Sequence, residues 1–185
     1  MISRTLMNKM LGAREGGMDR VFPELLAQLH QIEIDYYVDD IDYEPYESFY
    51  SEDDTSSWIK AWTGNQELDG KEYLIFGQDG TGGYAAFWLV RDTEDVLAQP
   101  IVFFGSEGEL GVVASNFYEL CWLFAAGFGP YESVAYPGLE RPGISKFESF
   151  AEAHAAEHRS SVSEILAKAK QEFPSFEELI RDQCR

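Results

Sequence analysis

Three residues in the last fifth of the chain have the spacing of a zinc hydrolase: His154, Glu157 and His158 fit the pattern H-x-x-E-H. On one continuous helix this spacing places both imidazoles on the same face, with the carboxylate close enough to act as a general base. A catalytic zinc ion also needs a third protein ligand and an open coordination position. The remaining histidine is His30, so a carboxylate after residue 158 would have to complete the ligand set. An amphipathic helix explains the same residues without a metal.

A glycine-rich segment at residues 77–83 invites comparison with phosphate-binding loops. Such loops have the pattern G-x-x-x-x-G-K-[ST] and open a helix, whereas this segment has no lysine, includes Asp79 and leads into an apolar run. A hairpin turn that needs positive φ explains the glycines better. Cys121 lies in the apolar run 120–124, where burial should raise its pKa, and no G-x-S-x-G nucleophile motif occurs. The sequence therefore predicts no catalytic residue, no metal and no cofactor.

Net charge is the strongest feature of the composition, with 33 acidic and 14 basic side chains and a formal charge of −19 at pH 7. Such a surface repels nucleic-acid phosphates and anionic lipid headgroups, and it attracts basic proteins. Residues 21–59 contain eleven carboxylates and no lysine or arginine, and six aromatic residues lie between positions 36 and 50. This stretch is either a solvated acidic loop or a contact surface, because tyrosines are enriched at protein interfaces.

The contact-surface interpretation defines a set of predicted partner-binding residues. Their carboxylates would steer a basic protein toward the surface, and their tyrosines would supply buried contact area. The set combines residues of the acidic stretch with two glutamates of a later turn: Tyr36, Asp39, Asp40, Asp42, Tyr43, Tyr46, Tyr50, Asp53, Asp54, Glu107 and Glu109.

The compartment is predicted from three features of the 185 residues. No apolar run approaches the roughly 20 residues that span a bilayer, and the first ten residues lack the apolar stretch and cleavage site of a secretory signal. Cys121 and Cys184 cannot form a disulfide framework, and Cys184 is expected to be exposed. We therefore expect a cytoplasmic protein, monomeric because its like charges disfavour self-association.

The periodicity predicts helices at residues 2–12, before the Gly16–Gly17 break, and at 22–32. Apolar runs at 73–76, 84–90, 101–104 and 110–113 are separated by glycine-rich turns and predict an antiparallel meander. The second run is apolar on both faces, so we expect it to be central and covered by helices.

The last third of the chain is predicted to be helical. Ser115 and Asn116 can cap a helix that ends at Gly127. The Ser-x-x-Glu spacing of a capping box then recurs three times, at Ser145/Glu148, Ser161/Glu164 and Ser175/Glu178. We therefore predict a single α+β domain, with a bent antiparallel sheet of four to six strands, helices packed on it and a helical C-terminal third.

The segments 76–88, 100–109 and 113–123 resemble the SUKH superfamily, which includes bacterial immunity proteins related to a fungal cell-wall-synthesis regulator family. The resemblance covers residues 58–127, between a variable helical and acidic part at 1–57 and a helical tail at 128–185. It implies an α+β fold with a concave protein-binding surface, and many bacterial members neutralise a toxin. It carries no catalytic residues, and we expect its recurrent positions to be mainly structural: Gly77, Asp79, Gly80, Gly82, Gly83, Trp88 and Ser115.

Three functions remain open at this point. The first is an immunity-type protein that occludes a basic toxin domain without catalysis. The second is a regulatory or scaffold domain that binds a resident cytoplasmic protein. The third, and least favoured, is a zinc hydrolase that uses His154, Glu157 and His158.

Overall fold

Five antiparallel strands in the order β1-β2-β3-β4-β5 form the centre of the structure, a computed structural model that describes residues 20–185. The predicted helix at residues 2–12 and the glycine break after it lie outside the described residues. The four predicted strands are confirmed as consecutive neighbours, and a short edge strand precedes them. The strands are β1 Glu44–Pro45, β2 Tyr73–Gln78, β3 Tyr84–Trp88, β4 Ile101–Phe104 and β5 Leu110–Ala114.

The described residues also form eight α-helices and two 3₁₀ turns. The helix predicted at 22–32 is shorter than expected, since Pro23 occupies its N-cap and the chain leaves the helix after His30. The helices are α1 Glu24–His30, α2 Tyr36–Asp39, α3 Glu52–Thr63, α4 Phe117–Ala125, α5 Pro130–Ala135, α6 Ser145–His154, α7 Val162–Glu172 and α8 Phe176–Gln183, and the 3₁₀ turns are Val96–Ala98 and Ala156–His158.

Helices cover both faces of the sheet because alternate residues of each strand point in opposite directions. Leu74 and Phe76 of β2 belong to one apolar cluster, which α4 and α6 complete with side chains such as Phe124. Tyr73 and Ile75 belong to a second cluster on the opposite face, which α3 and α8 complete. The expectation that β3 is central and covered by helices is therefore confirmed, and residues 20–185 form a single α+β domain.

Helix α4 begins and ends close to the predicted residues. Its cap is Asn116, whose side chain accepts a hydrogen bond from the Glu119 backbone nitrogen at 3.0 Å. Ser115 instead donates its backbone N–H to the Glu119 carboxylate at 3.0 Å. Gly127 follows the helix with a φ of 83°, a conformation that favours glycine. Cys121 is buried in this helix, as predicted.

The three predicted capping boxes have different outcomes. Ser161 and Glu164 form a complete box at the start of α7. Ser175 occupies the N-cap of α8 but makes no capping hydrogen bond. Ser145 is the first helical residue of α6, and the N-cap is the buried Ile144, whose N–H bonds to the Ala125 carbonyl at 2.8 Å. Tertiary packing therefore overrides the local capping signal at Ser145.

Candidate functional site

Two hairpin turns and one segment of the acidic stretch meet at one end of the sheet. The β2–β3 turn and the β4–β5 turn are joined by the hydroxyls of Thr81 and Ser106, whose oxygens lie 2.8 Å apart. Asp42 reaches the first turn, where its carboxylate accepts a hydrogen bond from the Gly80 backbone nitrogen at 2.7 Å. The structure thus brings together residues that the sequence places far apart.

Asp79 holds the β2–β3 turn in shape. One of its carboxylate oxygens accepts three hydrogen bonds: from the backbone nitrogen and the hydroxyl of Thr81, at 2.8 and 2.9 Å, and from the Gly83 nitrogen at 2.8 Å. The side chain is buried, with 2% of its surface exposed. These contacts give Asp79 a structural function in the turn.

The glycines of this turn are explained in two ways, by backbone conformation and by close packing. Positive φ occurs at Gly82, at 91°, whereas the other three glycines of the segment are not in that region. A Cβ added to Gly77 would lie 2.4 Å from the Tyr43 ring, and one added to Gly83 would lie 2.7 Å from the Phe103 ring. At those two positions close packing excludes a side chain, whereas the predicted hairpin with positive φ is confirmed at Gly82.

We define the acidic end as the five carboxylates at this end of the sheet that reach solvent: Asp40, Asp42, Glu44, Glu107 and Glu109. Asp40 forms an ion pair with Arg141, with 3.1 Å between oxygen and nitrogen. Within residues 20–185 the other four have no ion pair. Their charges add to one another and produce a negative potential that attracts cations.

Two of the predicted contact residues are buried, so the prediction was wrong for them. Tyr43 is 6% exposed, and its hydroxyl lies 2.9 Å from His30 Nε2 beneath the segment. Asp39 is 8% exposed, and its carboxylate binds Lys146 Nζ at 2.6 Å. Both side chains hold the acidic stretch against the domain, so neither can contact a partner in this conformation.

Tyr46 and Tyr50 are half-buried and form a hydroxyl cluster with Tyr84. The rings of Tyr46 and Tyr50 stack with centroids 5.2 Å apart. The Tyr46 hydroxyl donates to Gln78 Oε1 at 2.7 Å, and the Tyr50 and Tyr84 hydroxyl oxygens lie 3.2 Å apart. Burial and the bond with Tyr50 raise the pKa of Tyr46 well above its ordinary value and that of Tyr84 to about 12. Tyr46 and Tyr84 are therefore uncharged at neutral pH.

Asp53 and Asp54 lie in the first turn of α3, a helix that the sequence analysis did not predict. Ser51 caps it by accepting the Asp54 backbone N–H at 3.0 Å. Carboxylates in a first turn are favoured by the helix dipole, so these two exposed aspartates also have a local structural explanation. The prediction missed α3 because the helix begins with a run of charged and polar residues at 52–57, which has no apolar periodicity. The residues that pack on the sheet, such as Trp58 and Ile59, come only after this run.

The prediction omitted the most exposed aromatic residue among those described. Tyr37 is 94% exposed and Val38 is 74% exposed, next to Tyr36 at 56%. All three lie on α2. The sequence signal for this site is a run of three consecutive large side chains in a hydrophilic segment. This signal does not reveal which of the three side chains face solvent.

The structure contradicts the helical geometry assumed for the zinc motif. Helix α6 ends at His154, and Glu157 and His158 lie in a separate 3₁₀ turn. The imidazoles pack on different rings: His154 lies against Phe150, with centroids 4.6 Å apart, and His158 stacks on Tyr118 at 4.9 Å. In the described part of the chain no three His, Cys, Asp or Glu side chains are grouped to hold a metal ion.

The two cysteines lie in different environments. Burial raises the pKa of the Cys121 thiol well above its ordinary value, as expected for a thiol in an apolar helix. Cys184 is exposed, as predicted.

No protein-family model, curated protein or solved structure matched the chain significantly. Among the described helices, none has both the length and the apolar character that crossing a membrane requires.

Proposed function

We propose that this protein binds a basic protein through the acidic end and acts by occlusion, without catalysis. The observation that carries the proposal is the convergence of solvent-reaching carboxylates from two separate segments, at 40–44 and 107–109, on one end of the sheet. Four of the five solvent-reaching carboxylates there have no ion pair within residues 20–185. A basic partner would supply the missing counter-charges, which favours rapid and salt-sensitive association.

In the cell, the protein would act as a cytoplasmic immunity protein of the SUKH type that binds and blocks a basic toxin domain. Its support is the resemblance of residues 58–127 together with the net charge of −19. The second candidate is a regulatory domain with a resident partner. It predicts a growth defect when the gene is deleted in cells that contain no toxin, whereas an immunity protein becomes dispensable in such cells.

The test is affinity capture from the native host with three immobilised baits. One is the natural chain, and the second carries Asp42→Asn, Glu107→Gln and Glu109→Gln. The third is a control that neutralises three exposed carboxylates elsewhere, by Glu157→Gln, Glu177→Gln and Glu178→Gln. The control has the same net charge as the second bait, so a difference between the two reports position and not total charge.

We expect one basic protein, in nearly equal amount, on the natural chain and on the control, and little of it on the acidic-end variant. A partner that is held equally by all three baits would contradict the proposed surface. Identification of a captured toxin domain, whose expression arrests growth unless this chain is present, would favour immunity over resident regulation.

A further inference from the structure

Helix α2 is fastened to the domain by its polar groups at both ends. At its start the Asp35 side chain accepts the Tyr37 backbone N–H at 3.0 Å, and Asp39 accepts both the Asp35 N–H at 2.9 Å and the Lys146 ammonium. At its end Asp40 adopts positive φ, at 54°, and pairs with Arg141. The short helix is therefore held in place by contacts that reach more than 100 residues along the chain.

The polarity of α2 is the reverse of that of an ordinary surface helix. Its carboxylate Asp39 is buried, whereas Tyr37 and Val38 project into solvent with 94% and 74% of their surface exposed. Tyr36, at 56%, packs edge-on against Tyr37, with ring centroids 5.6 Å apart. Surface helices normally turn apolar side chains toward the core, and burying a charge is favourable only when it is paired. The ion pair between Asp39 and Lys146 therefore holds α2 in an orientation that leaves Tyr37 and Val38 in solvent.

We infer that Tyr36, Tyr37 and Val38 form an apolar anchor that enters a pocket of the protein partner. This inference rests on the proposed function and deepens it. Tyrosine is enriched among the residues that dominate binding energy, and a side chain already held in its bound position loses little conformational freedom on association. The Asp39 and Asp40 ion pairs provide that preorganisation.

The negative charge around the anchor indicates that the partner is basic. Residues 21–59 contain eleven carboxylates and no lysine or arginine. Asp39 and Asp40 are paired with Lys146 and Arg141, whereas the exposed Glu33 and Asp35 adjoin the tip in sequence and have no ion pair within residues 20–185. A partner must therefore present an apolar pocket bordered by Lys or Arg side chains. Because Asp42 follows the tip and contacts the Gly80 turn, the anchor continues directly into the acidic end.

The test begins with a photo-crosslinking amino acid that is placed in the full chain, which is expressed in the native host. It is introduced in separate experiments at position 37 and at position 107 in the acidic end. The exposed position 171 on α7 is the control. The crosslinked protein is then purified, and its dissociation constant is measured for three forms: the natural chain, the double variant Tyr37→Ala with Val38→Ala, and Val21→Ala. Val21 is a matched control because it is an apolar residue, 63% exposed, outside the tip. Thermal unfolding verifies that each variant folds.

We expect positions 37 and 107 to crosslink to the same basic protein and position 171 not to. The double variant should bind about 30-fold more weakly or worse, the size of a typical hot spot, with Val21→Ala within about 2-fold of the natural chain. Crosslinking at 107 with none at 37, or unchanged affinity of the double variant, overturns the anchor while the proposed function stands. No crosslink at either position overturns both.

Discussion

Glu132 Oε1 accepts a hydrogen bond from the backbone nitrogen of Asp42 at 2.8 Å, although 90 positions separate the two residues. Its second oxygen accepts the Gly129 N–H at 2.9 Å, which starts α5. The carboxylate is 4% exposed, and burial raises its pKa above the ordinary value. One side chain therefore fixes both the acidic segment and the helix beside it.

Replacing Glu132 with alanine should destabilise the domain by about 2–4 kcal/mol, because it leaves two backbone N–H groups without an acceptor. Urea unfolding measures the change. Glu132→Gln keeps one acceptor oxygen and should cost less. Glu140→Ala, at an exposed position nearby, is the control and should remain within about 0.5 kcal/mol of the natural chain. A Glu132→Ala variant as stable as that control would show that the contact does not position the segment.

Gly77→Ala should destabilise the domain by about 1–3 kcal/mol through overpacking, since the added methyl group would lie 2.4 Å from the buried Tyr43 ring. Gly82→Ala has open space around it but positive φ, so we expect about 1 kcal/mol. Gly138→Ala has neither restriction and serves as the neutral control. Thermal unfolding ranks the three. If Gly77→Ala proves as harmless as Gly138→Ala, close approach is not the reason for glycine at residue 77.

His30 predicts a specific loss of stability in mild acid. Its Nδ1 lies 2.7 Å from the Tyr46 carbonyl, so this nitrogen carries the hydrogen, and Nε2 accepts from the Tyr43 hydroxyl. Burial lowers the pKa of His30 to about 4, whereas the unfolded chain has a pKa of about 6.5. Below pH 6.5 the unfolded state therefore binds the proton more readily than the folded state.

The stability contributed by neutral His30 is complete above about pH 6.5 and is lost as the pH falls toward 4. The natural chain should lose about 3 kcal/mol of unfolding free energy between pH 7 and pH 4 that His30→Gln does not lose. Urea unfolding at several pH values measures this difference. Equal pH profiles for the two proteins would mean that His30 titrates normally in the fold.

The sheet was predictable because its signals are local. The apolar runs and the glycine turns identify four strands, and the apolar faces of residues 84–90 identify the central one, which the structure ends at Trp88. The edge strand Glu44–Pro45 was missed because two residues without an apolar pattern carry no such signal.

The structure of the acidic stretch was not predictable because distant residues determine it. Asp39 binds Lys146, Asp42 binds Gly80, and Tyr46 binds Gln78, at separations of 107, 38 and 32 positions. Composition alone could not separate the buried Asp39 and Tyr43 from the exposed Asp40 and Tyr37. The candidate surface therefore emerged from the fold, whereas its acidic character was evident from the sequence.

The most direct measurement of the central claim is the association rate with the captured partner, followed by stopped flow from about 50 to 500 mM salt. At low ionic strength charges interact over distances longer than about 10 Å, and added salt screens them. The natural chain should associate rapidly, and its association rate should fall steeply as salt is added. The control variant, with glutamine at positions 157, 177 and 178, should behave in the same way. The Asp42, Glu107 and Glu109 variant should associate more slowly, with a flatter salt dependence. Equal rates and equal salt dependence for all three would contradict the claim that the acidic end guides a basic protein.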